Sequence, residues 1–228
     1  VRNSLLKEEW AETTMDKPVS NFHFKLMSFC FKIRDFFLSR MNILKEVGIK
    51  PGFHVLDYGC GPGSYITPLA ELVGESGKVY ALDIHPLAIQ KVKDIASKKQ
   101  LRNVETILSD CQTGLPDNSL DAVLLYDAFH HLSDPDLVLN EIHRVLKPDG
   151  ILSFGDHHMK EKEIVVEVIN DRLFRLLRKG QRHEFEMKRE YEDCRQGNSS
   201  AKFHNILLPT SRSSLWIKEV ATKAIWAQ

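Results

Sequence analysis

Cysteine is scarce and unpaired in this chain: Cys30, Cys60, Cys111 and Cys194 lie far apart, with no CxxC and no zinc-type spacing. That argues against a disulfide-stapled scaffold and a structural metal site, so no metal is expected, and free thiols in a reducing, cytoplasmic compartment are. Net charge is absent as well, because 31 Lys and Arg balance 31 Asp and Glu, with a pI near 7.3. A general nucleic-acid binder needs a basic excess to meet phosphate, so no nucleic-acid partner is expected. The chain also lacks the roughly 20 consecutive apolar residues that cross a bilayer. Its longest pure run in the middle, Ala122 to Tyr126, is only of strand length, and no stable membrane insertion is expected. Val1, followed soon by Lys7, Glu8 and Glu9, does not read as a secretory leader. Internal repeats are missing too.

What is present suits one globular domain with a short appendage: 228 residues, of which 43% are hydrophobic and 27% charged. From Lys50 onward, short β-branched runs alternate with longer amphipathic stretches. Strands are predicted at Phe53–Tyr58, Lys78–Asp83, Val104–Ser109, Leu120–Tyr126 and Ile151–Phe154. Helices are predicted at Ser64–Val73, at Pro86–Lys99, from Asp134-Pro135 to a turn at Lys147–Gly150, and from Lys160 to Arg178. Leu120–Tyr126 is almost wholly apolar, as a strand buried on both faces should be. Strand–helix alternation implies right-handed crossovers, hence an α/β, doubly wound, mostly parallel Rossmann-like sheet with helices on both faces. The ends fall outside this rhythm. Residues 1–49 read as an N-terminal helical segment, 50–180 as the ligand-binding domain, and 181–228 as a segment of uncertain structure with weak strands at Asn205–Pro209 and Leu215–Val220.

The segment Val55-Leu-Asp-Tyr-Gly-Cys-Gly-Pro-Gly63 places a strand, a glycine-rich turn and a helix start in sequence, the pattern of a nucleotide-ligand site at the carboxyl end of a parallel strand. Two details narrow the ligand. The spacing is GxGxG, not the dinucleotide GxGxxG. Asp57 stands at the mouth of the loop, where a carboxylate repels a pyrophosphate but suits an ammonium or a sulfonium. Twenty residues beyond Gly63, the second strand ends at Asp83, an offset at which an acidic side chain bonds ribose hydroxyls.

In order, VLDYGCGPGSY, VYALDIHP, LPDNSLDAVLLYDAFHHLSDP and LNEIHRVLKPDGILSFGDHH resemble the successive motifs of class I S-adenosylmethionine-dependent methyltransferases, and more narrowly the small-molecule type 11 branch. The resemblance runs from about Lys50 to His158. It implies a seven-stranded sheet whose last strand is an antiparallel insertion, although no convincing closing hairpin is legible after Gln181. It also implies S-adenosylmethionine as cofactor and a small-molecule substrate. By resemblance, Asp57, Gly59, Cys60, Gly61 and Gly63 line the methionine end of the cofactor. Asp83 and Ile84 hold the ribose and flank the adenine, Asp110 and Cys111 meet the adenine, and Tyr126 stands beside the methionine and the transferred methyl.

Methyl transfer mainly needs alignment and exclusion of water, and a base only if the nucleophile arrives protonated. Candidates cluster where the fourth and fifth strands end: Asp127, His130, His131, then Asp156, His157 and His158. These are pocket walls and caps, or a histidine base near neutral pH, or a cation site; His130 is the first choice as base, with His131 next. Between Phe22 and Phe37 stand six phenylalanines with Lys25, Lys32 and Arg34, a segment that packs on the domain, closes over the ligand edge as a lid, or meets a membrane surface. Two other functional classes compete: a nicotinamide oxidoreductase, which the loop spacing and Asp57 oppose, and a cofactor-binding partner subunit without activity.

Overall fold

The structure is a computed structural model and describes residues 17–37, 40–170, 173–179 and 185–189. The weak strands expected at 205–209 and 215–220, Cys194, and the first sixteen residues lie outside the described residues. Two helices open the described chain, α1 (Asn21–Phe37) and α2 (Met41–Val47), followed by β1 (His54–Tyr58), α3 (Ile66–Val73), β2 (Lys78–Asp83), α4 (Pro86–Lys99) and β3 (Val104–Leu108). Then come β4 (Leu120–Tyr126), a single 3-10 turn (Phe129–His131), α5 (Pro135–Val145), β5 (Leu146–Gly155), α6 (Glu161–Asn170), β6 (Phe174–Lys179) and β7 (Phe185–Arg189).

These strands form one sheet in the order β3-β2-β1-β4-β5-β7-β6. Neighbours from β3 through β5 pair in parallel, and β7 pairs antiparallel with both β5 and β6. Period-two alternation sorts the strand residues between two cores. Leu56, Tyr58, Val123 and Leu125 pack with Val138, Ile142 and Val145 of α5 and Ile164 and Val168 of α6. Val55, Val79, Ala81, Ala122 and Leu124 pack on the other face with Leu44 and Val47 of α2, Ile66, Leu69 and Val73 of α3, and Val92 of α4. The doubly wound fold expected from the alternating pattern is the one observed. Helix boundaries follow local chemistry: Pro86 and Pro135 occupy first-turn positions, and the caps ahead of them accept backbone amides, His85 Nδ1 from Leu87 at 3.1 Å and Asp134 Oδ1 from Leu137 at 3.1 Å.

Two expectations fail at the carboxyl end. The helix expected from Lys160 to Arg178 stops at Asn170, and Phe174–Lys179 is a strand. The closing hairpin sought after Gln181 begins before it, so the sheet runs past residue 180 to Arg189. Leu173, Phe174, Leu176 and Leu177 satisfy a helical period as well as a strand, and tertiary pairing decides between them. Lys147–Gly150, expected as a turn, lies within β5; Leu120 pairs with Leu146 and Ala122 with Ile151, so the extra residues bulge from the ladder.

An ionic network centred on the buried Glu141 ties α5 to the loop between β3 and β4. Glu141 Oε1 accepts the amide and hydroxyl of Thr113 at 2.9 and 2.6 Å, and both carboxylate oxygens accept Arg144 at 2.8 Å. Burial pushes the Glu141 carboxyl up, but the bonds from Arg144 and Thr113 outweigh it and hold the group at about 2. A carboxylate held below its unfolded value contributes stability above the ordinary value of 4.5 and loses it as pH falls toward about 2. Glu141→Gln should therefore lower neutral-pH stability by roughly 1–3 kcal/mol. It should also flatten the acid-unfolding profile in that window. Urea titrations across pH check both, and parallel wild-type and variant profiles would refute the assignment.

Candidate functional site

The strand order reverses between β1 and β4, and the crevice outside their carboxyl ends is where α/β sheets bind ligands. A cavity of about 260 Å³ opens there. Its floor is the glycine loop after β1. The amides of Gly59 and Cys60 both donate to the Leu82 carbonyl at 2.9 Å, folding the loop back over the end of β2. Gly59 has φ +73°, and a Cβ on it would lie 2.7 Å from the Ala128 Cβ, so glycine is required on two counts. Gly61, at φ +51°, would point a Cβ at no protein atom within 4 Å, which leaves its backbone open to a close-fitting ligand.

Two carboxylates govern the electrostatics. Asp57, at the end of β1, is 2% exposed, and its Oδ2 has no hydrogen-bond partner. Burial, with the Asp83 charge added, pushes its carboxyl up to about 7. Asp83 accepts the Gly61 amide on Oδ2 at 2.8 Å and the His85 amide on Oδ1 at 2.7 Å. Burial raises its carboxyl too, against those amides. Each of its oxygens keeps a second lone pair, so it can anchor the loop and still accept hydroxyls.

The other residues expected at a cofactor divide. Cys60, Ile84, Asp110 and Tyr126 line the cavity with Asp57, Gly59, Gly61 and Asp83. Gly63 does not; it serves packing, since a Cβ there would lie 2.9 Å from Ile95 of α4. Cys111 is absent from the wall as well and packs against the core shared by α5 and α6, where burial pushes its thiol up to about 11. Burial likewise drives the Cys60 thiol well up, which disqualifies both as nucleophiles. The Tyr126 hydroxyl shares a hydrogen bond with Ser153 Oγ at 2.5 Å inside the protein, and its ring leans on Tyr65 at 5.1 Å.

Among the histidines the expected order reverses. His130, the first choice as base, is not in the cavity wall; its amide and Nδ1 both meet Asp156 Oδ2, at 3.1 and 2.7 Å. Asp127, after β4, holds His157, after β5, in the same way. The two strand ends thus clasp each other by reciprocal Asp–His pairs. Of the four strand-end histidines, His131 is the one that reaches the cavity, beside Leu132. Burial, together with His130, His158 and His23 on α1, lowers its imidazole below the ordinary 6.5 despite Asp156. No three of these groups come together as a cation site among the described residues.

The roof was legible only as a segment. Phe24, Met27 and Phe31 of α1 line the cavity, and Phe24 stacks on His85 with centroids 4.4 Å apart. Tyr65 and His85 went unread as wall residues, although Tyr65 stands two positions after the glycine loop and His85 two after Asp83.

Comparison with known proteins adds the following. Residues 49–208 match a family described as a methyltransferase domain. A demethylmenaquinone methyltransferase of Geobacillus stearothermophilus is 32% identical over 130 residues, 57% of this chain and 56% of that protein. The UbiE ubiquinone/menaquinone biosynthesis C-methyltransferase of Teredinibacter turnerae is 35% identical over 107 residues, 46% and 43% of the two chains. The chain thus spans about half the length of these curated relatives. Among solved structures, a SAM-dependent methyltransferase from Aquifex aeolicus superposes with a TM-score of 0.65 at 28% identity, covering 75% of this chain and 98% of that one.

Two outcomes follow from the carboxylates. A cationic ligand beside Asp57 favours its ionised form, so binding at low pH must expel a proton. Affinity for S-adenosylmethionine should be flat above about pH 7 and fall up to about tenfold per unit below it. Calorimetry in two buffers at about pH 6 should detect proton release, whereas a dissociation constant flat down to about pH 5.5 would contradict the Asp57 assignment. Asp83→Asn should weaken cofactor binding roughly 30- to 150-fold through its charge-assisted bonds. An unchanged constant would reduce Asp83 to an anchor for the loop and the helix start.

Proposed function

The chain belongs to the class I S-adenosylmethionine-dependent methyltransferases, and from that membership we propose that it methylates a small, largely apolar acceptor held between the glycine loop and α1. The observation that carries the reading is the cavity itself, with a buried, partnerless Asp57 oxygen in its floor and aromatic side chains in its roof. The floor fits the cofactor. Asp57 offers a partnerless oxygen to an ammonium, the open face of Gly61 admits close approach, and Asp83 retains lone pairs for ribose hydroxyls. When bound, S-adenosylmethionine supplies an electrophilic methyl on a sulfonium.

The chain's own residues align and shield. Phe24, Met27 and Phe31 keep water from the reacting edge, which favours in-line attack on the methyl carbon over hydrolysis. Tyr126 forms a rigid wall, because its hydroxyl is already engaged by Ser153. His131 is the candidate to take a proton from an acceptor that arrives protonated, and its depressed basicity keeps it neutral at physiological pH. The relatives named for demethylmenaquinone support a ring-bearing, hydrophobic acceptor. The N-terminal segment then serves as the lid, residues 50–180 with the β6–β7 hairpin as the catalytic body, and the cytoplasm as the compartment.

Incubation with methyl-labelled cofactor and a panel of acceptors that includes demethylmenaquinone should transfer label to an apolar ring compound. Transfer to none, with intact cofactor binding, would favour the inactive partner-subunit reading. With an acceptor in hand, His131→Ala should slow transfer roughly 10²–10⁴-fold at unchanged cofactor affinity. Wild-type activity should rise with pH through an apparent pKa below the ordinary histidine value, as the imidazole loses its proton. A loss under about threefold would leave alignment and desolvation as the whole mechanism.

A further inference from the structure

Helix α1 has two apolar faces. The inner one roofs the cavity. The outer one carries Phe22, Leu26 and Phe29, which are 79%, 55% and 62% exposed. Positions 22, 26 and 29 are spaced by four and three residues, so these side chains line up as one stripe. Scattered exposed apolar residues are ordinary on a protein surface, but a continuous stripe with two phenylalanines marks an interaction face. The other large hydrophobics exposed among the described residues, such as Leu108, Leu137 and Val166, lie on other elements and include no aromatic.

Charge identifies the occupant. Helix α1 holds Lys25, Lys32 and Arg34 against one carboxylate, Asp35, in a chain whose total charge is zero. Lys25 is exposed and lies one helical step from both Phe22 and Phe29. A second copy of the chain, docked about a two-fold axis, would bring this cationic segment against itself. We propose that the outer face of α1 docks on an anionic lipid surface, with the stripe in the interfacial zone and the lysines against the headgroups. The docking is peripheral, since no helix among the described residues is long and apolar enough to cross a membrane. It places a bilayer one helix diameter, roughly 10 Å, from the cavity that the same helix roofs. The proposal goes beyond methyl transfer and does not rest on it.

The test uses the full chain without acceptor. The protein should co-sediment with vesicles of phosphatidylcholine plus phosphatidylglycerol, should not with phosphatidylcholine alone, and should come off as salt is raised. Lys25→Glu should weaken binding at least about fivefold. The combined Phe22→Ser, Leu26→Ser and Phe29→Ser variant should weaken it at least about tenfold. Both variants should keep the wild-type cofactor dissociation constant, which shows the inner face still seated, and Leu108→Ser should bind vesicles normally. Failure to sediment with anionic vesicles, or equal sedimentation with both compositions, would overturn the proposal. So would a dimer in sedimentation velocity that the triple variant abolishes, because the stripe would then belong to a second copy.

Discussion

Asp83 closes two hydrogen bonds that the rest of the site depends on. One carboxylate oxygen fixes the Gly61 amide, and the other fixes the His85 amide. A single side chain at the end of β2 therefore sets both the curvature of the glycine loop and the start of α4. The arrangement carries an electrostatic penalty, because Asp57 is buried nearby and the Asp83 charge makes its ionisation still harder. The floor of the site, where the two carboxylates stand, is short of positive charge by construction. A cationic ligand relieves that shortage, while a pyrophosphate would deepen it.

The opposite rim is held by different means. The loops after β4 and β5 have no backbone ladder between them beyond Asp127 to Gly155, and the crossed pairs His130–Asp156 and Asp127–His157 fasten them. The histidine ring centroids follow one another at 3.9, 4.3 and 4.3 Å from His131 through His130 and His158 to His157. Two of the four rings are held by aspartates in this frame, and His131 is the one of the four that faces the cavity. Position along the chain therefore separates clasping from cavity-facing histidines less well than the identity of each Asp partner.

Much of this was readable from the residues. The strand at Lys78–Asp83, the helix at Pro86–Lys99 and the strand at Leu120–Tyr126 fall where period, proline and apolar run place them, because those signals are local. The glycine loop and both carboxylates were legible for the same reason, each being a short motif with a chemical purpose. The signals that misled depend on distant partners. Residues 173–177 carry an apolar pattern that serves helix and strand alike, and only pairing with β7 selects the strand. Gly63, in the glycine loop, and Cys111, after β3, were both expected at the cofactor, yet α4 and the α5-facing core claim their space. Which of these histidines reaches the cavity hinges on an aspartate 26 residues from His130.

The position of β7 has a consequence for how the chain is made. It is the last described strand in sequence, yet it sits inside the sheet, between β5 and β6. During synthesis β5 cannot meet its final neighbour until some thirty further residues have emerged, since Phe154 pairs with Phe185. Until then the amides and carbonyls along one side of β5, an apolar strand, have only water or another chain to bond. A ribosome pausing in that interval would hold out a nearly complete fold with one unfinished seam, and chaperones that recognise extended apolar strands have a defined window in which to act.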